Sequence, residues 1–193
     1  MFDICKALGQ WVILLMSNVI LDVIGLFVVA VAIPFRVPGV SGSDGRPIVN
    51  LPRWAWLFGN DYDGLLGDKR GWWAENAPLG WAPDSFMAMW WWAAVRNPVN
   101  NMRFVKFWQA PVKGSTITYK GDYFVRDKPG SAGWQFVKTE SGGKCWYGFY
   151  LVHQWSDTRA FVIRMGFKVQ PDDAGTDSEP LGMTTKLNPY KAI

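Results

Sequence analysis

The hydrophobic pattern divides the chain into a long apolar run near its start and a mixed remainder. From Trp11 to Ile33 the sequence reads WVILLMSNVILDVIGLFVVAVAI, and Asp22 is its one charged residue. At about 1.5 Å per residue, a helix of this length is roughly 34 Å long, which is enough to cross a hydrocarbon core of about 30 Å with some tilt. The pattern therefore predicts an N-terminal transmembrane helix within residues 1–33.

Polar and small residues within this run share one helix face. Asn18, Asp22, Gly25 and Ala32 lie near positions i, i+4, i+7 and i+14. Helices contact each other in lipid through small and polar residues, and intramembrane acids usually have a role. We expect Asn18, Asp22 and Gly25 to form an intramembrane contact with a second copy or another membrane protein. The alternative is that Asp22 hydrogen-bonds Asn18 on an isolated span.

A cleaved signal peptide is the main competitor of a retained span. Residues 30–32, AVA, have the small-residue spacing of a cleavage site. Cleavage near Ala32 would release a secreted or virion-associated binding domain. Against cleavage, the apolar run is longer than the ~7–15 residues of a signal peptide, and Asp22 interrupts it.

Charged residues on either side of the run predict its orientation. Lys6 precedes it, and three arginines follow it: Arg36, Arg46 and Arg53. Because cytoplasmic flanks carry the larger share of Lys and Arg, we expect a single pass with the C-terminal domain in the cytoplasm. Cys5 and Cys145 would then lie on opposite sides of the membrane and could not pair within one chain.

After the span, composition separates a linker from a tryptophan-rich region. Residues 34–52 are rich in Pro and Gly and predict an extended linker, and residues 53–101 hold most of the tryptophans. Within that region Ser85–Arg96 predicts a short helix capped by Asp84. Bulky apolar residues surround nearly its whole circumference, which favours a buried helix over one lying in the membrane interface.

Residues 102–170 change to the period of two that is typical of β-strands. Phe161–Val169 alternates as a half-buried strand, and Lys144–Trp155 is apolar on both faces, as a central strand is. Further strands are predicted at Ser115–Tyr119, Asp122–Arg126 and Trp134–Thr139. Short connections predict an antiparallel meander, and the polar residues 171–193 predict a mobile tail. The expected fold class is α+β.

Charge and aromatic content narrow the classes of partner. The formal charge is +4 without a Lys/Arg cluster, so we expect contact with anionic lipid headgroups and no nucleic acid. The chain has 13 tryptophans, and Trp favours the membrane–water interface. The candidate residues for docking on the bilayer or on a partner are Trp54, Trp56, Trp72, Trp73, Arg96 and Asn97.

The densest acidic cluster gives a weak candidate for metal chemistry. Asp61, Asp63 and Asp68 lie in a segment whose spacing fails the helix–loop–helix calcium pattern at both ends. A looser divalent-ion site here would make the protein a membrane-tethered, metal-dependent hydrolase, whereas Asp, Asn and Gly form such turns without a metal. His153 is the only histidine, and no catalytic or cofactor motif is present, so we expect no cofactor and favour a non-enzymatic protein.

The order of several motifs resembles an uncharacterised family of small membrane proteins encoded by tailed bacteriophages and prophages. The apolar span is followed by PRWAWLFGNDYDG, GDKRGWW, WWWAAVRNPVNN, WYGFYLVHQW, FVIRMGFKVQP and NPYK. The resemblance covers most of the chain. It implies expression in an infected bacterium and insertion into the host inner membrane, where a host or phage membrane protein is the expected partner. The family has no assigned activity, so it contributes no functional residues.

Overall fold

The α+β fold class is confirmed. A computed structural model describes residues 2–42, 45–61, 63–67, 80–82, 84–96 and 103–193. A long apolar helix, α1 (Phe2–Ala32), is followed by a two-stranded sheet, short helical segments and a five-stranded antiparallel sheet. The chain forms two compact units, one of residues 1–16 with 108–193 and one of residues 17–107.

The five-stranded sheet of the first unit is the predicted meander. It consists of β3 (Thr116–Gly121), β4 (Gly133–Ser141), β5 (Lys144–Ser156), β6 (Arg159–Phe167) and β7 (Met183–Ala192), paired in that order. β5 is central, as its two apolar faces predict. Gly142 and Gly143 have φ values of 55° and 74° and join β4 to β5 in a two-residue turn, a conformation that favours glycine.

The alternation of β6 separates a core face from a less buried one. Ala160 and Val162 are fully buried and pack with Tyr150 and Val152 of β5. The larger side chains Phe161, Ile163 and Met165 lie on the opposite face and are only half-buried. The strand is half-buried as predicted, but its smaller apolar residues form the core side.

Residues 171–193 are not a tail throughout, because β7 occupies Met183–Ala192 and pairs with β6. β7 is an edge strand, and this position tolerates Pro189, which has no N–H for a ladder. The register shifts between Ala160 and Val162 opposite it. The predicted strand at residues 122–126 is wrong, since these residues form a loop.

The predicted linker at residues 34–52 contains a short hairpin. β1 (Val37–Val40) pairs with β2 (Pro47–Asn50), and the N–H of Leu65 donates to the carbonyl of Val49 at 2.7 Å. After the hairpin, Arg53–Phe58 form a 3₁₀ helix of six residues. The segment is therefore packed into the second unit rather than extended.

The second unit buries a short helix against the C-terminal half of α1. α2 (Phe86–Trp90) continues as a π-helical turn, Trp91–Arg96, and its N-cap is Ser85, whose side chain accepts from the Ala88 N–H at 3.3 Å, rather than Asp84. Trp90 Nε1 donates to the Leu26 carbonyl of α1 at 2.9 Å. The buried residues of this core are Val29, Ala32, Ile33, Leu51, Ala55, Leu65, Met89, Ala93 and Ala94. α2 is buried at Ala88 and Met89, whereas Phe86 and Met87 are 45% and 43% exposed, so the prediction of a buried helix holds for one face only.

Candidate membrane-binding surface and polar clusters

One side of α1 presents a continuous apolar surface. Among the described residues, α1 is the one helix long and apolar enough to cross a membrane by length and composition. Its large exposed side chains recur at helical spacing: Ile4, Leu8, Val12, Ile13, Met16, Val19, Ile20, Val23, Ile24, Phe27 and Val31. We call these residues the apolar stripe. A soluble helix normally turns such a stripe toward the core.

The polar and small face of α1 points the other way. Asn18 is 7% exposed, Gly25 is buried, and Asp22 is half-buried. Further along this face, Val29 and Ala32 belong to the core of the second unit. The predicted contact of Asn18, Asp22 and Gly25 with another chain stays a prediction, and such a partner would have to share a face that this chain already covers.

In the first unit, Gln10 and Trp11 bind the backbone of β5. Gln10 Nε2 donates to the Cys145 carbonyl at 3.0 Å, and the Tyr147 N–H donates to Gln10 Oε1 at 3.1 Å. Trp11 Nε1 donates to the Tyr147 carbonyl at 2.9 Å. β6 pairs with β5 only as far as Gly148. Before Gly148, the side chains of Gln10 and Trp11 make the hydrogen bonds to the β5 backbone that β6 makes further along the strand.

A glycine makes this close approach possible. Gly166 of β6 has a φ of 80°, and a Cβ at this position would overlap the Tyr147 carbonyl and the Trp11 indole. Only glycine adopts this conformation at low cost and leaves that space open. The sequence gives one hint of it, a glycine inside an otherwise alternating strand.

The first turn of α1 reaches a mixed group of charges on the same sheet. The Tyr147 hydroxyl donates to Asp3 Oδ1 at 3.3 Å, and burial together with neighbouring groups raises the pKa of Tyr147 to about 12. Lys138 Nζ lies 3.8 Å from Asp3 Oδ1 and 2.7 Å from Glu140 Oε1. The hydrogen bond from Lys138 lowers the pKa of Glu140, which favours its charged form.

Asp61, a weak metal candidate, is held by two cations. Arg103, which is 5% exposed, places Nη2 2.5 Å and Nε 2.6 Å from Asp61 Oδ1, and Lys106 Nζ lies 2.9 Å from Oδ2. Burial opposes ionisation, but the hydrogen bonds from Arg103 and Lys106 outweigh it and lower the pKa of Asp61. The guanidinium also lies 4.8 Å from the centre of the Trp56 ring. The arrangement ties the segment together by ion pairing.

Asp63 is engaged in the same way. Its Oδ1 lies 3.1 Å from Arg46 Nη2, and its N–H donates to Asn60 Oδ1 at 3.4 Å. Asp68 lies outside the described residues. Across the described ranges no three His, Cys, Asp or Glu side chains converge as metal ligands. A cation bound by Asp61 and Asp63 would have to displace Arg103, Lys106 and Arg46 from these carboxylates. The metal site stays a prediction.

The candidate docking residues are only partly described. Trp54 is 60% exposed and packs edge-on against Phe35, and Trp56 is 46% exposed. Both present indole surface to solvent, as an interfacial role requires. Trp72, Trp73 and Asn97 lie outside the described residues, and Arg96 ends the π-helical turn.

Sequence reasoning missed a polar cluster on the core face of the sheet. The Tyr150 hydroxyl donates to Asp127, Lys186 Nζ lies 2.7 Å from Asp127 Oδ2, and Arg164 stacks 3.8 Å from the Tyr150 ring centre. Burial opposes ionisation of Asp127, but Lys186 and Tyr150 lower its pKa. Burial and the bond to Asp127 raise the pKa of Tyr150. The side chains of this group interact with one another, as those of a structural cluster do.

The single histidine and the distal cysteine both lie on β5. His153 is exposed on β5, and Cys145 is half-buried with its Sγ 3.5 Å from Glu140 Oε1. The Cys145 side chain also interacts with the Tyr147 hydroxyl.

The chain belongs to the family of unknown function DUF7338, which it matches over residues 3–193. No curated protein and no solved structure matches it. The family supplies no activity, so the function must be inferred from the surfaces and clusters described above.

Proposed function

We propose that this protein is a non-enzymatic, membrane-anchored interaction protein that is held to the bilayer by α1. The observation that carries the proposal is the apolar stripe, whose members from Val12 to Val31 are 43–70% exposed. A soluble monomer rarely leaves a contiguous apolar surface of this length in water, because each exposed apolar side chain forgoes the free energy of burial. A bilayer supplies that burial.

The energy balance favours insertion of α1. The Val, Ile, Leu and Phe residues between Trp11 and Ile33 contribute roughly 4–9 kcal/mol on insertion scales, and Asp22 opposes them by about 2.5–3.5 kcal/mol. Asp22 is half-buried on the inward face of α1, away from the apolar stripe. This position lets the stripe meet lipid while the carboxyl group stays against protein.

The setting and the partner are also part of the proposal. The resemblance to membrane proteins of tailed phages supports placing the protein at the inner membrane of an infected bacterium. There it would bind a host or phage membrane protein or a second copy of itself. Fractionation of infected cells tests the location, and crosslinking of the tagged protein identifies the partner. Recovery in the soluble fraction of such cells would contradict the proposal.

A flotation experiment with matched variants tests the anchor. The full chain is mixed with phospholipid vesicles and centrifuged through a density gradient. We expect wild type to float and Ile20→Asp/Ile24→Asp to stay at the bottom, since each acid in lipid costs about 2.5–3.5 kcal/mol. Leu187→Asp is the control, because Leu187 is 69% exposed but lies on β7. Equal flotation of all three proteins, or no flotation of wild type, would overturn the anchor.

Cys5 tests the predicted single-pass topology. It is exposed near the start of α1, whereas Cys145 is half-buried, so a Cys145→Ser background leaves one reactive thiol. A membrane-impermeant maleimide added to intact spheroplasts should label Cys5 if α1 crosses the membrane with the C-terminal domain in the cytoplasm, and should not label it while Gln10 stays bonded to β5 on the cytoplasmic side. Labelling that appears only after the cells are lysed would contradict this orientation.

A further inference from the structure

An apolar cleft in the first unit lies between the first turns of α1 and the sheet. Its volume is about 480 Å³, within the range of roughly 300–1,000 Å³ that is usual for ligand pockets. Aromatic side chains form one part of its wall: Trp11 from α1, Trp134 and Phe136 from β4, and Phe149 from β5. Trp11 and Phe136 meet edge to face with their ring centres 6.3 Å apart, which fixes the shape of this wall.

Two lysines from neighbouring strands lie at the same cleft. Lys138 of β4 pairs with Thr118 of β3, and Lys120 lies two residues further along β3, so both lysines are on one face. Lys138 is compensated by Glu140 and Asp3. Within the described residues no carboxylate lies within ion-pair distance of Lys120, which is exposed on the edge strand. The cleft thus has an apolar wall and one unmatched positive charge.

We propose that this cleft binds one anionic phospholipid, with an acyl chain against the aromatic wall and the headgroup phosphate beside Lys120. The inference rests on the proposed function, because the bilayer is the source of the ligand. Ile4 supports that source: it lines the cleft and, at 56% exposed, also belongs to the apolar stripe. An acyl chain can therefore pass from lipid contact on α1 into the cleft along a continuous apolar surface.

Native mass spectrometry of the full chain released from a neutral detergent tests the proposal. The protein is titrated with phosphatidylglycerol or with phosphatidylcholine of the same acyl chains. We expect one phosphatidylglycerol to be retained, at an affinity at least about tenfold above that of phosphatidylcholine, because a positive site discriminates by charge. Equal retention of the two lipids would overturn the proposal.

Two pairs of variants locate the binding. Thr118→Trp fills the cleft from an exposed strand position, and Thr116→Trp adds the same bulk on the same strand outside it. Lys120→Glu reverses the charge at the cleft, and Lys144→Glu makes the same change at an exposed position elsewhere on the sheet. We expect the two cleft variants to lose phosphatidylglycerol and the two controls to retain it. Retention by all four would overturn the proposal.

Flotation of the same variants separates this inference from the anchor. All four variants keep the apolar stripe between Val12 and Val31 and should float with vesicles like wild type. Flotation without a retained lipid would remove the cleft proposal and leave the anchor in place. Loss of flotation by wild type would remove the anchor itself.

Discussion

The two halves of α1 are held by polar and apolar contacts in different proportion, and the C-terminal half also has a hydrogen bond from Trp90 to its Leu26 carbonyl. In the first unit, Gln10 and Trp11 bind the β5 backbone through three hydrogen bonds. In the second unit, Val29 and Ala32 pack into an apolar core that includes Met89. Hydrogen bonds are directional and fix position, whereas apolar packing in water contributes in proportion to buried area.

This difference predicts opposite responses to a membrane. Lipid tails are as apolar as a protein core, so they compete with the packing around Val29 and Ala32. Lipid tails have no hydrogen-bond donor or acceptor that could replace Gln10 and Trp11. A lipid environment should therefore not weaken these hydrogen bonds, and breaking them there would leave polar groups unpaired. In a bilayer the N-terminal half would therefore keep its polar contacts with the sheet, and the C-terminal half would depend on the balance between core and lipid.

The largest expected effect comes from a cavity in the apolar half. Met89→Ala should lower the free energy of unfolding by about 2–5 kcal/mol, because Met89 is 2% exposed and its neighbours cannot collapse fully. Urea denaturation measures the change. Met87→Ala on the same helix is the control, since Met87 is 43% exposed and should change stability little. Equal effects of the two variants would contradict this view of the core.

A side chain added beside Trp11 in the first unit should lower the stability of the protein nearly as much. Gly166→Ala should destabilise the protein by about 2–3 kcal/mol, because the residue has a positive φ and its Cβ would displace Trp11. Gly143→Ala has the same backbone demand with a φ of 74° but open space around it, and should cost only about 1 kcal/mol. The difference between the two melting temperatures isolates the contact. No difference would show that Trp11 does not need this space.

The ion pair at Asp61 tests whether polar contacts also matter in the second unit. Asp61→Asn should cost about 1–3 kcal/mol at neutral pH, because it leaves the buried Arg103 without its charge partner. The pKa of Asp61 is lowered in the folded protein, so this stability is present above the unfolded pKa of about 4 and is lost as the pH falls through the folded value. Unfolding curves of wild type and variant should converge in acid. A constant gap across pH would contradict the assignment.

Loss of the Gln10 amide should give the smallest effect. Gln10→Met keeps the length of the side chain but leaves the Tyr147 N–H and the Cys145 carbonyl without their partner, at a cost of about 1–2 kcal/mol. Hydrogen exchange of the Tyr147 amide should accelerate while amides paired with β4 keep their protection. Unchanged exchange at Tyr147 would show that the bond does not hold α1 on the sheet.

Periodicity predicted the elements better than their contacts. The long apolar run predicts α1, the residues apolar on both faces at Lys144–Trp155 predict β5, and the alternation from Phe161 predicts β6, because these signals are local. β7 was missed because Asn188 and Pro189 interrupt a polar edge strand whose order comes from pairing with β6. The bond between Gln10 and β5 joins residues 135 positions apart, and no local signal marks it. Asp61 stood out in the sequence as an acid, but Arg103 identifies it as an ion-pair partner.

Because Gln10 is bonded to β5, α1 cannot both stay bound to the sheet and cross a bilayer. A helix that crosses a bilayer between Trp11 and Ile33 leaves Gln10 on one side, and the chain from residue 34 onward emerges on the other. β5 could then not reach Gln10, since α1 is the one candidate span in the described chain. If α1 meets a membrane while this bond holds, it can only lie along the membrane surface, and a complete crossing would require Gln10 and Trp11 to separate from β5 first.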